Sequence, residues 1–161
     1  MAKTYVPLAT QTLGSAAASV TFSSIPSTYT DLVLVANIKG VGANGTPKIL
    51  VNGSAANLSR TTLAGNGTSA ASGRYSDNYI AHSAAASTAD FGLNCIINIF
   101  NYANTTTFKT ILTRGNNAAY GTDLVCSLWR SISAITSIDL LLDVTNLAIG
   151  STFTLYGIAA A

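Results

Sequence analysis

Apolar and polar residues alternate with a period of two along much of the second half of the chain. The clearest case is the segment FGLNCIINIFNY, residues 91–102. On a strand, one face would carry Phe91, Leu93, Cys95, Ile97 and Ile99, and the other would carry Asn94 and Asn98. That spacing predicts a β-strand with one face in a core. The stretch DLVLVANIK, residues 31–39, is apolar on both faces, which predicts a central strand covered on both sides.

Short turn signals rich in glycine, asparagine and serine separate the apolar stretches. They divide the chain into nine or ten short strands, a pattern typical of an antiparallel, jelly-roll-like β-sandwich. GVGANGTP, Gly40–Pro47, reads as a hairpin tip, Asn66–Asn78 as the longest irregular loop, and NTTT, Asn104–Thr107, as a turn. Because Pro7 cannot donate to a ladder, residues 1–13 are predicted to form an amino-terminal arm or edge strand, followed by one sandwich domain over 14–161.

The composition supports an all-β fold and excludes several partners. Glu is absent, and only 9% of the residues are charged, so polar helix formers are scarce. The eight Lys and Arg residues are scattered and the net charge is +2, which argues against nucleic acid as the main partner. No apolar run is long enough for a spanning helix, and the amino terminus lacks the apolar run of a signal peptide, so we expect synthesis in a cytoplasm and no membrane contact.

The sequence contains no convincing catalytic constellation. His82, beside Ser83 and near Asp77, raises the question of a nucleophilic triad, but there is no G-x-S-x-G elbow. His82 is therefore interpreted as a loop histidine. Asp139 and Asp143 share the outward parity of their predicted strand, which makes them solvated carboxylates rather than a hydrolytic pair. We expect no enzymatic activity.

Cofactor and metal sites are not predicted either. GVGANG, residues 40–45, lacks the Lys-Ser/Thr ending of a phosphate loop. Asp77, Asn78 and Asp123 are placed in loops by the turn pattern, but their spacing is not that of a calcium loop. Cys95 and Cys126 lie in apolar runs and are interpreted as free thiols acting as small hydrophobes, with a disulfide between them as the alternative. Two cysteines and one histidine cannot complete a four-ligand zinc site.

Two features point to binding. Trp129 is followed by Arg130, and both residue types are over-represented at interface centres. The alternative for Trp129 is burial between the sheets. The low charge of the whole chain is the second feature, since a permanent assembly component can dispense with charges that a free protein needs for solubility.

Four segments resemble a family of small virion structural proteins of tailed bacteriophages. They are the opening TYVPLATQTLGSAAASVTFSSIPSTYTDLVLV (Thr4–Val35), NYANTTTFKT (Asn101–Thr110), SLWRS with AITSI (within Ser127–Ile138) and the ending GSTFTLYGI (Gly150–Ile158). The FSSIP, YTDL and GSTFTLYGI pieces occur together and in order. The middle, Gly40–Ala89, matches no pattern of the family.

The resemblance implies a non-catalytic β-sandwich on the phage particle. The favoured expectation is a capsid decoration, or cement, protein that binds the major capsid protein and stabilises the shell as a homotrimer. The arm residues Tyr5, Val6 and Leu8 would then add to a sheet edge of a neighbour, with Tyr156 of the ending as a further contact residue.

The alternative is a tail-fibre or appendage tip whose loops, Gly40–Gly53 and Asn66–Asn78, contact host glycans. The short chain has no room for a fibre shaft, which favours decoration.

Overall fold

The structure is a computed structural model that describes residues 4–54, 56–77, 79–81 and 92–159. Over these residues it contains twelve strands and no helix, with 59% of the described residues in strands. Nothing in these ranges therefore forms a helix long and apolar enough to cross a membrane. The all-β prediction is confirmed, and two antiparallel sheets make the arrangement consistent with a β-sandwich.

The strands fall into a large sheet and a small one. The large sheet has eight strands in the order β1-β12-β3-β8-β9-β10-β5-β6, and the small sheet has four in the order β2-β11-β4-β7. The strands are β1 Tyr5–Thr12, β2 Ser19–Phe22, β3 Asp31–Ile38, β4 Pro47–Val51, β5 Leu58–Gly65, β6 Ala70–Asp77, β7 Ile80–Ala81, β8 Leu93–Phe100, β9 Lys109–Asn117, β10 Gly121–Trp129, β11 Ile138–Leu142 and β12 Thr152–Ile158.

The hydrophobic core lies between the two sheets. Every second residue of the long strands is buried there, as the period of two requires. Large side chains from both sheets are fully buried, including Leu34, Ile97 and Phe153 from the large sheet and Ile49 and Leu140 from the small one. The predicted inward face of β8 is confirmed for the part that the structure describes, residues 93–99, whereas Phe91 lies outside the described residues.

Strand β3 is central, as predicted, because it pairs with β12 on one side and β8 on the other. Residues on both faces of β3 are buried only near the beginning of the strand. Leu32 and Leu34 are buried in the core and Val33 is buried on the opposite face, but Val35 is 40% exposed. The prediction of a strand covered on both sides is therefore wrong at Val35.

The strand count of nine or ten is too low because two strands were not predicted, the two-residue β7 and a strand within Asn66–Asn78, which is not an irregular loop. Its sequence AASGRYSD forms β6, which pairs with β5 from Gly65 opposite Ala70 onward. Small and polar side chains suffice for an edge strand that contributes little to the core, so no alternation of hydrophobicity marked it. The real turn is short, and Asn66 Oδ1 accepts hydrogen bonds from the N–H groups of Thr68 and Ser69.

Gly40–Pro47 is not a hairpin tip, because β3 belongs to the large sheet and β4 to the small one. The segment crosses between the sheets, and Val41 N–H donates to the carbonyl of Asn146 on the way. By contrast, the Asn104–Thr107 turn is confirmed: it joins β8 to β9 as a hairpin, and Asn104 Oδ1 accepts the N–H of Thr106 at 2.7 Å.

Strand β1 is an edge strand of the large sheet, one of the two forms expected for residues 1–13. It pairs with β12, and its register shifts between Pro7 and Ala9. The bulge fits a proline that cannot donate to the ladder. Leu8 packs against the core, so β1 is part of the sandwich rather than a detached arm.

Candidate functional site

The side of the large sheet that faces away from the small sheet, called here the outer sheet face, is not covered by a second layer within the described ranges. Residues directly opposite each other in antiparallel strands point to the same face, so the strand register defines its rows. Its charged residues are Asp31, Arg74 and Arg114. The face is thus nearly free of charge, and it divides into a polar end and an apolar part.

The polar end is a row of amides and hydroxyls, called here the amide row. It runs across five neighbouring strands in the order Thr152, Asn37, Asn94, Asn116 and Thr122, each directly opposite the next. Asn37 Nδ2 donates to Asn94 Oδ1 at 2.7 Å. This bond orients both amides and leaves the Asn37 carbonyl oxygen and the Asn94 amide hydrogens available for other partners.

The apolar part, called here the apolar patch, is formed by Leu63, Leu112, Leu124, Cys126 and Leu128. Leu124 lies opposite Leu63, and Cys126 lies opposite Leu112. Leu63 is 54% exposed, Leu128 42% and Leu124 37%. These adjoining aliphatic side chains form one contiguous exposed apolar area, unlike the scattered exposed leucines of ordinary surfaces.

Tyr5 and Tyr156, both predicted contact residues, meet at one corner of the same face. Their rings stand edge to face with centroids 6.1 Å apart, and Tyr5 is 58% exposed. Val6 and Leu8 alternate with Tyr5 and are half-buried, with Leu8 against the core. Of the three arm residues, Tyr5 is therefore the one whose side chain is mostly exposed.

Trp129 and Arg130 do not form a joint contact site. Trp129 is only 3% exposed and lies on the inner face of β10, so its placement at an interface centre is wrong and burial between the sheets is confirmed. Arg130 is exposed beyond the end of β10, where its Nη2 donates to Ser59 Oγ at 2.9 Å. Strand parity separates the two side chains.

The two cysteines are free and lie in different environments. Cys95 is buried, and burial, helped by the negative charge of Asp123, raises the pKa of its thiol to about 12. Cys126 is a free thiol, as predicted, and it is exposed in the apolar patch. The disulfide alternative is not formed. Asp123 is buried in β10, not placed in a loop as expected.

The two carboxylates that were considered as a hydrolytic pair, Asp139 and Asp143, each accept a hydrogen bond from another segment of the chain. Asp139 accepts a hydrogen bond from Thr21 Oγ1 at 2.6 Å, and Asp143 accepts the N–H of Thr46 at 2.7 Å. Within the described ranges there is no group of three potential metal ligands. His82, Ser83 and Asn78 lie outside the described residues, so the interpretations of these three residues stay predictions.

The sequence alone did not predict the apolar patch or the amide row. In LVCSLW both parities contain apolar residues, so nothing local shows that Leu124 and Leu128 point outward while Val125 and Trp129 point inward. The amide row combines residues of the consecutive strands β8, β9 and β10 with residues of β3 and β12, which lie far from them in the chain. The alternation of apolar and polar residues in β8 did predict that Asn94 points away from the core, and this was the one member of the amide row that the sequence indicated.

Comparisons with protein-family models, with curated proteins and with solved structures find no match to this chain.

Proposed function

We propose that the chain is a non-catalytic virion structural protein of a tailed bacteriophage, acting as a decoration protein on the outer surface of the capsid. The sequence resemblance described above supplies the virion context. The observation that carries the proposal is the outer sheet face, which exposes the apolar patch and bears hardly any charge. A protein held in a dense array can leave such a face uncovered in the single chain, because neighbouring molecules bury it.

The major capsid protein is the proposed partner of the β1 edge and of the Tyr5–Tyr156 corner. Among the described strands, β1 pairs only with β12, so its other edge is open to a strand of a neighbour. A tyrosine pair beside that edge adds apolar area together with hydroxyls that can hydrogen-bond. Many such contacts repeated over a shell stabilise it although each one is weak.

In purified virions, the copy number of this protein is expected to be comparable with that of the major capsid protein. Tyr5→Ser is expected to weaken binding of the purified protein to undecorated capsids about tenfold, because it removes an exposed ring of an interface corner. Ile149→Ser is the matched control, because Ile149 is similarly exposed, at 64%, near the opposite end of the sheet. Quantitative mass spectrometry and capsid co-sedimentation provide the two measurements.

A copy number of a few per particle would reject decoration and favour the tail-fibre tip, whose partner would be a host glycan. Equal loss of capsid binding in the Tyr5 and Ile149 variants would reject the β1 corner as the attachment site while leaving the location on the capsid intact.

The apolar patch is the proposed contact between copies in a homotrimer. Its residues span three neighbouring strands and positions 124–128 along β10, so at about 4.8 Å per strand and about 3.4 Å per residue the patch covers roughly 250 Å². Stable pairs of proteins bury about 800 Å² on each partner. The trimer in solution is therefore expected to be weak and to depend on concentration.

Light scattering should show the mass of the purified protein rising toward three chains as the concentration increases. Leu124→Asp is expected to keep it monomeric, because it places a charge in the patch, whereas Val144→Asp, at a 71% exposed site in the loop after β11, should not. Cys126 supplies an independent readout, since its labelling by a thiol reagent should slow as the patch is covered. Concentration-independent mass and labelling would contradict the proposed contact.

A further inference from the structure

We infer that the polar end of the outer sheet face binds an acidic saccharide, one that carries a carboxylate among its hydroxyls. The inference goes beyond the proposed function and does not depend on it. It starts from a depression of about 470 Å³ that the amide row lines together with Val35, Ile96 and Arg114. This volume lies within the range of small-molecule sites, which is roughly 300–1,000 Å³.

The hydrogen-bonding groups of the depression suit a ligand rich in hydroxyls. Amide and hydroxyl side chains both donate and accept, as sugar hydroxyls do. Asn94 and Asn116 lie opposite each other on neighbouring strands, about 5 Å apart. Apart from the bond between Asn37 and Asn94, the amides of the row have no hydrogen-bond partner in the described structure. A ligand therefore gains these bonds without breaking internal ones.

The apolar floor suits the same kind of ligand. Val35 and Ile96 are directly opposite each other in the row next to the amides, and Val35 is 40% exposed. Sugar rings combine hydroxyl edges with C–H faces, so an aliphatic pair flanked by amides fits both parts. None of the lining residues is aromatic, and without a stacking ring the affinity of one site should be weak.

Arg114 gives the site its preference for acidic ligands. It lies opposite Ile96, it is exposed, and it has no ion pair with an acidic residue of the described structure. Among the lining residues it is the one that carries a charge. A guanidinium can donate two parallel hydrogen bonds to one carboxylate, which selects a carboxylated sugar over a neutral one. A single cation is poorly suited to a densely charged phosphate ligand.

The test is a titration of the purified full chain with trigalacturonic acid, followed by the nuclear magnetic resonance signals of the protein. We expect saturable binding with a Kd on the order of 1 mM, and shifts of the side-chain amides of Asn94 and Asn116. Maltotriose, which lacks carboxylates, should bind at least about fivefold more weakly, and citrate, which lacks the ring hydroxyls, should also bind more weakly.

Two variants distinguish binding at this site from non-specific attraction of an anion to any exposed arginine. Arg114→Gln should weaken trigalacturonate binding at least about tenfold, because hydrogen bonds to a charged group are lost. Arg74→Gln is the matched control: it removes the exposed arginine of β6 on the same face but outside the depression, and binding should stay within about twofold. Asn94→Ala should weaken binding severalfold while Arg114 is retained.

Lack of saturation at about 20 mM trigalacturonate would overturn the inference. Equal losses in the Arg114 and Arg74 variants, or equally tight binding of citrate, would also overturn it, because either result would mean non-specific attraction to arginine. Thermal unfolding of each variant establishes that the fold is retained. Because no capsid takes part, failure here leaves the decoration proposal standing, and failure of capsid binding leaves the saccharide site standing.

Discussion

Gly121→Ala is expected to lower the free energy of unfolding by about 2–5 kcal/mol, measured from urea denaturation. Gly121 opens β10 with φ = +133°, a conformation that residues with a side chain rarely adopt. A Cβ at this position would lie 2.2 Å from the carbonyl oxygen of Gly65 and 2.9 Å from Cα of Asn66. Both obstacles are backbone atoms at the end of β5, so relief requires the β5–β10 pairing to shift.

Gly67→Ala is the matched control for this prediction. Gly67 also has a positive φ, +88°, but a Cβ there meets no atom within 4 Å. Its substitution therefore carries only the conformational cost, about 1 kcal/mol. If the two variants lost the same stability, the close approach of Gly121 to the β5–β6 turn would be refuted. A fall in the denaturant midpoint without a change in m would show that the variant lost stability and still unfolds in the same way.

The buried Cys95 thiol is expected to make the stability of the protein fall by about 1 kcal/mol per pH unit above pH 9. In the unfolded chain this thiol loses its proton near its ordinary pKa of 9.0, whereas in the fold its pKa is raised to about 12. Between these values the unfolded state binds fewer protons, so rising pH favours unfolding. The contribution is fully present below pH 9 and is lost as the pH rises toward 12.

The Cys95 effect is isolated by comparing the parent with Cys95→Ala from pH 8 to 10.5, using Cys126→Ala, at the exposed thiol, as the control. Burial lowers the pKa of Lys109, which makes stability rise with pH, and raises the pKa of Tyr102, which makes it fall above pH 10. Both contributions are common to all three proteins and cancel in the difference. The Cys95→Ala curve should be flatter, and parallel curves for the parent and this variant would contradict the assignment.

Much of the candidate site could not be predicted from the sequence, because it depends on which strands pair and in which register. Tyr5 and Tyr156 were predicted as contact residues in two separate segments, and only the β1–β12 pairing shows that their rings touch. Trp129 was selected for its residue type, but side-chain type does not reveal which face of β10 is covered. The amide row needs the register of four strand pairs, and register is set by packing across the sheet rather than by any one strand.

By itself, the sequence determined the features that depend on neighbouring residues in the chain. The period of two in β8 placed Leu93 through Ile99 toward the core, Asn104 marked the β8–β9 turn, and the absence of Glu accompanied an all-β fold. The tertiary structure decided what depends on distant partners: β4 joins β11 and β7 instead of β3, AASGRYSD becomes β6 on the edge of β5, and Leu124 faces solvent. The reason is that a strand gains its hydrogen bonds and burial from whichever strands lie beside and above it, and most neighbouring pairs among the described strands come from remote parts of the chain.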